Sequence, residues 1–150
     1  MPVPPSLASR PGALLTIAAR TGQELARRRL RPLGLSVQMC GVLNRLAEGP
    51  VSQQELGEQL GIDRTTVVEL IDDLEQKGVV VRARNAADRR SYSLQLTSRG
   101  RTVQKRAAKA FDAAAAEVFA PLQPAELNVL MELLTRVIGH GDRQLKELSP

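Results

Sequence analysis

Two short runs of this sequence carry side chains that can read a polyanion with patterned edges. In the first, Arg64, Thr65, Thr66, Val68 and Glu69 fall within six residues. Arginine can donate to guanine or phosphate, threonine to bases or phosphate, valine can meet a thymine methyl, and glutamate can accept from cytosine N4. In the second, Arg82 and Arg84 alternate along a β-branched stretch, followed by Asp88, Arg89 and Arg90. An arginine there can enter a narrow, electronegative minor groove, and Asp88 is expected to pair with a nearby arginine and fix the shape of the connection.

Other chemistries lack their residues. His140 and Cys40 are the only histidine and the only cysteine, which excludes the common structural zinc sets from a single chain. Neither G-x-G-x-x-G nor G-x-x-x-x-G-K-[ST] occurs, so no phosphate-cradling loop is visible. Asp72 and Asp73 are adjacent, but on a helix they point about 100° apart, which suits solvated surface better than an acid–base pair. Cys40 falls on an apolar helix face without a nearby cation in sequence to lower its pKa, and is expected to be a core residue. These absences argue against an enzyme, a metal or a cofactor.

The elements that must position the basic and hydroxyl residues follow from local signals. Ser52-Gln53-Gln54-Glu55 has the capping-box form, and Gly61 ends the helix it opens. Asp63 is a suitable N-cap for the next helix, its charge matching the positive helix end. Val67, Leu70, Ile71 and Leu74 recur at i, i+3, i+4, i+7 and define one buried face. Gly78 stops this helix in a left-handed conformation. Val79–Arg84 then reads as a strand, Asn85–Arg90 as a polar connection and Tyr92–Leu96 as the returning strand. A helix, a Gly-containing turn, a second helix and a basic β-hairpin form a winged helix-turn-helix, a unit suited to laying its second helix in a DNA major groove.

The wording of this stretch is more specific than its pattern. Glu55-Leu56-Gly57, Asp63-Arg64-Thr65-Thr66-Val67, Asp72 to Val80, Asp88-Arg89-Arg90 and Leu96-Thr97-Ser98-Arg99-Gly100 occur in order. The series resembles the MarR family of winged helix-turn-helix transcription regulators, most specifically in the Asp-Arg-Arg wing followed by Leu-Thr-x-x-Gly. The motifs span roughly residues 36–100. The resemblance implies a dimer held by its terminal helices, and a ligand site between the DNA-binding lobe and those helices; no polar constellation identifies ligand residues. The chain departs from the family where many relatives carry arginine at Glu69, and often at Asp73. Residues 63–77 hold five acids and two bases, and acids near phosphate repel it. The wing and the residues after it must then supply the phosphate attraction.

The flanks extend the helical pattern. Ala13–Arg31 reads as a first helix with Leu14, Ile17, Ala18, Thr21 and Leu25 as its stripe, ended by Pro32. Ser36 caps a second helix whose buried face is Val37, Cys40, Leu43, Leu46 and Ala47. Thr97 can cap a helix reaching about Ala120, roughly 33 Å long. Pro124 suits the first turn of a last helix, striped by Leu127, Leu130, Met131, Leu134, Val137 and Ile138, with Leu145 and Leu148 as an extension. The expected fold is mostly α with a small β-hairpin wing. Residues 1–12 form a flexible arm and 13–150 a single domain. Within it, 36–100 make the DNA-binding lobe, and 13–31 and 101–150 the dimerisation helices.

At 150 residues with 43% hydrophobic content, the chain can build one core, but aromatics supply only 2%. Its net charge of +5 is unevenly placed. Residues 48–77 hold eight acids against two bases, whereas 78–110 hold nine bases against one acid. No run of about 18 uncharged apolar residues exists to span a membrane. The proline-rich start is not a signal peptide, and a lone cysteine fits a reducing cytoplasm.

The sequence reads as a cytoplasmic, homodimeric, sequence-specific transcription regulator. It is expected to be a repressor on a pseudo-palindromic double-stranded DNA operator, released by a small-molecule effector. The alternative is a protein-interaction module in which the acidic second helix binds a protein partner. A monomer with a compact C-terminal hairpin is the alternative to the dimer.

Overall fold

The computed structural model describes residues 4–84 and 92–148. The elements run α1 (Pro5–Ala8), α2 (Pro11–Leu30), a 3-10 turn (Arg31–Leu33), α3 (Val37–Ala47), α4 (Gln53–Leu60) and α5 (Arg64–Gln76). After them come β1 (Val80–Arg84), β2 (Tyr92–Leu96), α6 (Ser98–Phe119) and α7 (Pro124–Leu148). The chain divides into two compact units, Met1–Ala115 and Ala116–Pro150. The described part of the expected arm holds the single turn α1 and the start of α2. That helix begins at Pro11, two residues before the expected Ala13, because proline at a first helical position leaves no N–H unpaired.

Caps set the boundaries around the helix-turn-helix. Ser36 Oγ accepts from the Met39 N–H at 3.0 Å and opens α3. Ser52 and Glu55 form the reciprocal capping box of α4: the Glu55 N–H donates to Ser52 Oγ at 3.2 Å, and the Ser52 N–H donates to Glu55 Oε2 at 3.0 Å. Gly61 ends α4 at φ 63°, a left-handed conformation that side chains with a Cβ rarely adopt. The two helices approach closely. A Cβ on Gly57 would meet the Ile62 carbonyl oxygen of the connecting turn at 3.0 Å and Val67 Cγ2 of α5 at 3.3 Å.

Val67, Leu70, Ile71 and Leu74 are the buried residues of α5, the four the spacing predicts. They join Leu30, Leu43, Leu56, Val79, Leu94 and Ala107 in one core. The buried face of α3 is Met39, Cys40, Val42, Leu43 and Leu46; Val37 is only half-buried and Ala47 is exposed. The stripe expected along the first helix is largely uncovered. Ile17 and Leu25 are half-buried, Leu14, Ala18 and Thr21 are exposed, and burial is concentrated at Ala26 and Leu30.

β1 and β2 pair antiparallel, with Val80 opposite Leu96, Arg82 opposite Leu94 and Arg84 opposite Tyr92. Val51 adds a single bridge to Leu94 on the far side of β2. The Leu94 N–H donates to the Val51 carbonyl at 2.8 Å, and the Val51 N–H donates back at 3.4 Å. Leu94 thus turns both backbone groups away from β1. Arg82 is therefore in a non-hydrogen-bonded pair, with its own N–H on the free edge of β1.

The Leu-Thr-x-x-Gly run joins the wing to α6. Thr97 Oγ1 donates to the Gly78 carbonyl at 2.8 Å and accepts from the Gly100 N–H at 2.9 Å. The Thr97 N–H donates to the Val79 carbonyl at 3.1 Å. One threonine both caps α6 and ties its start to the end of α5.

In the second unit, the predicted stripe residues of α7 fall within about 120° of helix surface at 100° per residue. Met131, Val137, Ile138 and Leu145 of that stripe are exposed, Ile138 at 62% and Leu145 at 68%.

Candidate nucleic-acid interface

The outward face of α5 is the site's centre. With Val67, Leu70, Ile71 and Leu74 locked into the core, Arg64, Thr65, Val68, Glu69 and Asp72 fall in an arc of about 140° on the opposite side. Arg64, Thr65 and Glu69 are exposed, and Val68 is half-buried. Thr66 is drawn into the helix cap. Its N–H donates to Asp63 Oδ1 at 3.0 Å and its hydroxyl to Oδ2 at 2.6 Å. Those bonds, the hydroxyl's first, hold the Asp63 carboxyl below the usual carboxylate range. The Thr66 hydroxyl therefore has its proton committed, unlike that of Thr65.

The sequence reading gives Arg82 and Arg84 a common outward role, and here the structure differs. They share a strand face, but that face continues from buried Val80 and turns toward α5. Arg82 Nη2 donates to Asp72 Oδ1 at 2.8 Å, and Nη1 pairs with Glu75 Oε2. The Arg82 backbone N–H donates to Glu75 Oε1 at 3.0 Å, and Nη2 approaches Gln53 Oε1 of α4 at 3.5 Å. Arg84, one pleat further out, is exposed. Asp88, Arg89 and Arg90 lie outside the described residues.

Sequence reasoning missed part of this surface. Gln53 and Gln54 at the start of α4, Arg64 at the start of α5 and Tyr92 of β2 line one groove together with Gly57, Glu58, Ile62 and Val67. Tyr92 is 55% exposed, so its hydroxyl and ring are presented beside the helix-turn-helix. Its signal was its place at an outward position of a period-two strand. The glutamines' signal was their position just inside a capping box, off the apolar face.

Cys40 is buried, as the sequence predicts. Burial first, and the Asp112 carboxylate second, push its thiol up, against a smaller opposing effect of the Asn44 amide, 3.8 Å from Sγ. A thiol held protonated is a poor nucleophile toward peroxide. Cys40→Ser is expected to keep its DNA affinity in the presence and absence of peroxide, with a lower melting temperature from the buried hydroxyl. Peroxide releasing the wild type but not the variant from a duplex would contradict this. His140 is exposed. Among the described residues no three His, Cys, Asp or Glu side chains gather as a metal site, and no helix is long and apolar enough to cross a membrane.

A sequence model described as the MarR family matches residues 33–91. A putative transcriptional regulatory protein for the hcr operon of Thauera aromatica is 32% identical over 105 residues, covering 69% of this chain. The chain spans only 63% of that relative's length. CouR from Rhodococcus jostii RHA1, solved with p-coumaroyl-CoA, is 28% identical with a TM-score of 0.80, over 89% of this chain and 95% of that one. The transcriptional repressor CouR on a 23-mer DNA duplex gives 28% identity and a TM-score of 0.81, over 92% of this chain and 99% of that one.

Proposed function

We propose that this chain is a member of the MarR family, which its sequence matches over residues 33–91, and a sequence-specific DNA-binding transcription regulator, a cytoplasmic homodimer that represses from a pseudo-palindromic operator. The observation that carries the reading is the α5 arc: Arg64, Thr65, Val68 and Glu69 face outward from a helix whose other side is fixed in the core. Such a helix can enter a major groove as a rigid body, its polar face toward base edges. Arg84 of β1, with Arg89 and Arg90 beyond it, would reach the flanking backbone and minor groove, with Asp88 holding the shape of their turn. The basic segment 78–110 supplies the phosphate attraction that acidic α5 does not.

The domain assignment follows from the same reading. Residues 36–100 are the DNA-binding lobe, and 13–31 with 101–150 the dimerisation helices. Release by a small-molecule effector rests on likeness to CouR, which is solved with p-coumaroyl-CoA and on DNA. The role is regulatory rather than enzymatic.

Selection of bound sequences from random duplexes tests this function. A recovered motif with two-fold symmetry is expected, bound with an affinity that falls steeply with salt. Recovery of no preferred sequence, with weak binding to every duplex, would reject it. Repeating the selection with acyl-CoA thioesters of aromatic acids tests release.

A further inference from the structure

We infer that Arg82 is a positioning residue of the DNA-binding surface: it ties the wing to the second helix at a fixed angle and masks two of that helix's carboxylates, rather than contacting DNA itself. The inference rests on the DNA-binding reading above. Its ground is one guanidinium that joins three elements. Arg82 of β1 bonds Asp72 and Glu75 of α5 and reaches Gln53 of α4. Glu75 is engaged twice, since it also accepts the Arg82 N–H on the free edge of β1. That N–H has no strand partner because Leu94, opposite it, turns its backbone groups to Val51. The carboxylate therefore occupies an edge where a further strand would otherwise add.

The geometry has two consequences for an approaching duplex. A hairpin two strands wide can swing about its base; here core Val80, Leu94 and Leu96 and the Val51–Leu94 bridge hold the base and β2, while the outer edge of β1 is tied to α5 through Arg82. The Arg82 tie sits two residues beyond Val80 and fixes the outer end of β1, where Arg84 is exposed. The distance between the major-groove contacts of α5 and the wing's contact is then a property of this tie. The second consequence is electrostatic. Asp72 lies on the outward arc of α5, its side chain 52% exposed, and Glu75 lies one turn along at 29%. Unpaired, both would repel phosphate; paired with one arginine, they present a smaller net charge to it. The arginine's planar fork is needed for this, since it spans two carboxylates on different helix turns, whereas a lysine ammonium is a single point of charge.

The test uses the full-length protein and two probes: the duplex recovered from the random selection, and the same duplex trimmed of base pairs outside its two half-sites. Arg82→Lys keeps the charge and loses the fork. It is expected to bind the full duplex at least tenfold more weakly and the trimmed duplex within about threefold of wild type. Asp72→Asn should likewise lose the advantage of the flanks, although it removes a negative charge facing the phosphates. Arg82→Lys binding both duplexes like wild type would overturn the inference, as a direct phosphate contact tolerates lysine. Equal loss on both duplexes would also overturn it, because a general loss of fold does not distinguish flanks. Tighter binding of both duplexes by Asp72→Asn, with flank preference kept, would reject the tie as well. A wild type that prefers no duplex at all would instead reject the DNA-binding reading, a result separate from these.

Discussion

Gly100→Ala is expected to destabilise the protein by about 3 kcal/mol, at the upper end of the cost of forcing atoms into a packed site. The added Cβ would sit 1.9 Å from the Val79 carbonyl oxygen and 2.9 Å from its carbonyl carbon, so backbone rather than a flexible side chain must give way. That carbonyl already accepts from the Thr97 N–H. Moving it pulls on the junction where α5, β1 and α6 meet, and the Thr97 bonds to Gly78 and Gly100 loosen with it. For a chain of this size, a loss of 3 kcal/mol lowers the melting temperature by roughly 6–12 °C. Gly139→Ala is the matched control. It lies inside α7 with no atom within 4 Å of the added Cβ, so it should be neutral or raise the melting temperature slightly. Thermal melts followed by circular dichroism check both. A Gly100→Ala variant melting with the wild type would show that α6 does not need its close approach to Val79.

Val137→Asp combined with Ile138→Asp is expected to weaken the proposed dimer by at least about a thousandfold. Both side chains are more than half exposed, at 59% and 62%, and lie in the apolar stripe of α7. An apolar stripe left this exposed is the kind of face that a second copy would cover. Covering a valine or isoleucine contributes about 1.5–3 kcal/mol. A two-fold interface removes each residue twice, and even 4 kcal/mol of that total corresponds to about a thousandfold in dissociation constant. Sedimentation at micromolar concentration should give twice the chain mass for wild type and a folded monomer for the variant. A variant that stays dimeric would move the interface away from α7. The uncovered Leu14 and Leu15 of α2, at 38% and 49% exposure, would then be its next test.

Much of this architecture was legible because it is written locally. Capping boxes, left-handed glycines and a 3.6-residue repeat each act over one or two turns. Ser52, Asp63, Gly61 and Gly78 therefore marked α4 and α5, and the four buried residues of α5 followed from their spacing. Features that depend on how elements meet were not legible. The bridge from Val51 to Leu94 involves one residue and has no periodicity. The alternation of Arg82 with Arg84 is visible in sequence and gives both the same DNA-facing role. That their strand face turns toward Asp72 and Glu75 depends on how the hairpin packs against α5. The Leu-Thr-x-x-Gly run is visible as a motif in sequence, but its reason lies in the fold: threonine caps and ties, and glycine admits the Val79 carbonyl. The first helix shows the reverse case. Its stripe is real in sequence, but a single chain leaves Leu14, Ala18 and Thr21 exposed, and the reading that buries them needs a second copy.

In the proposed dimer, two copies of this chain present their α5 helices to successive turns of one duplex face. Affinity for the selected duplex, measured with and without five extra base pairs between its half-sites, tests this most directly. Half-sites for such a dimer lie one helical turn apart, about 34–36 Å, and five base pairs rotate one of them to the opposite side of the duplex. The insertion is predicted to reduce affinity at least a hundredfold and to leave only the weak, salt-sensitive binding of a single half-site. Unchanged affinity for the expanded duplex would contradict the account.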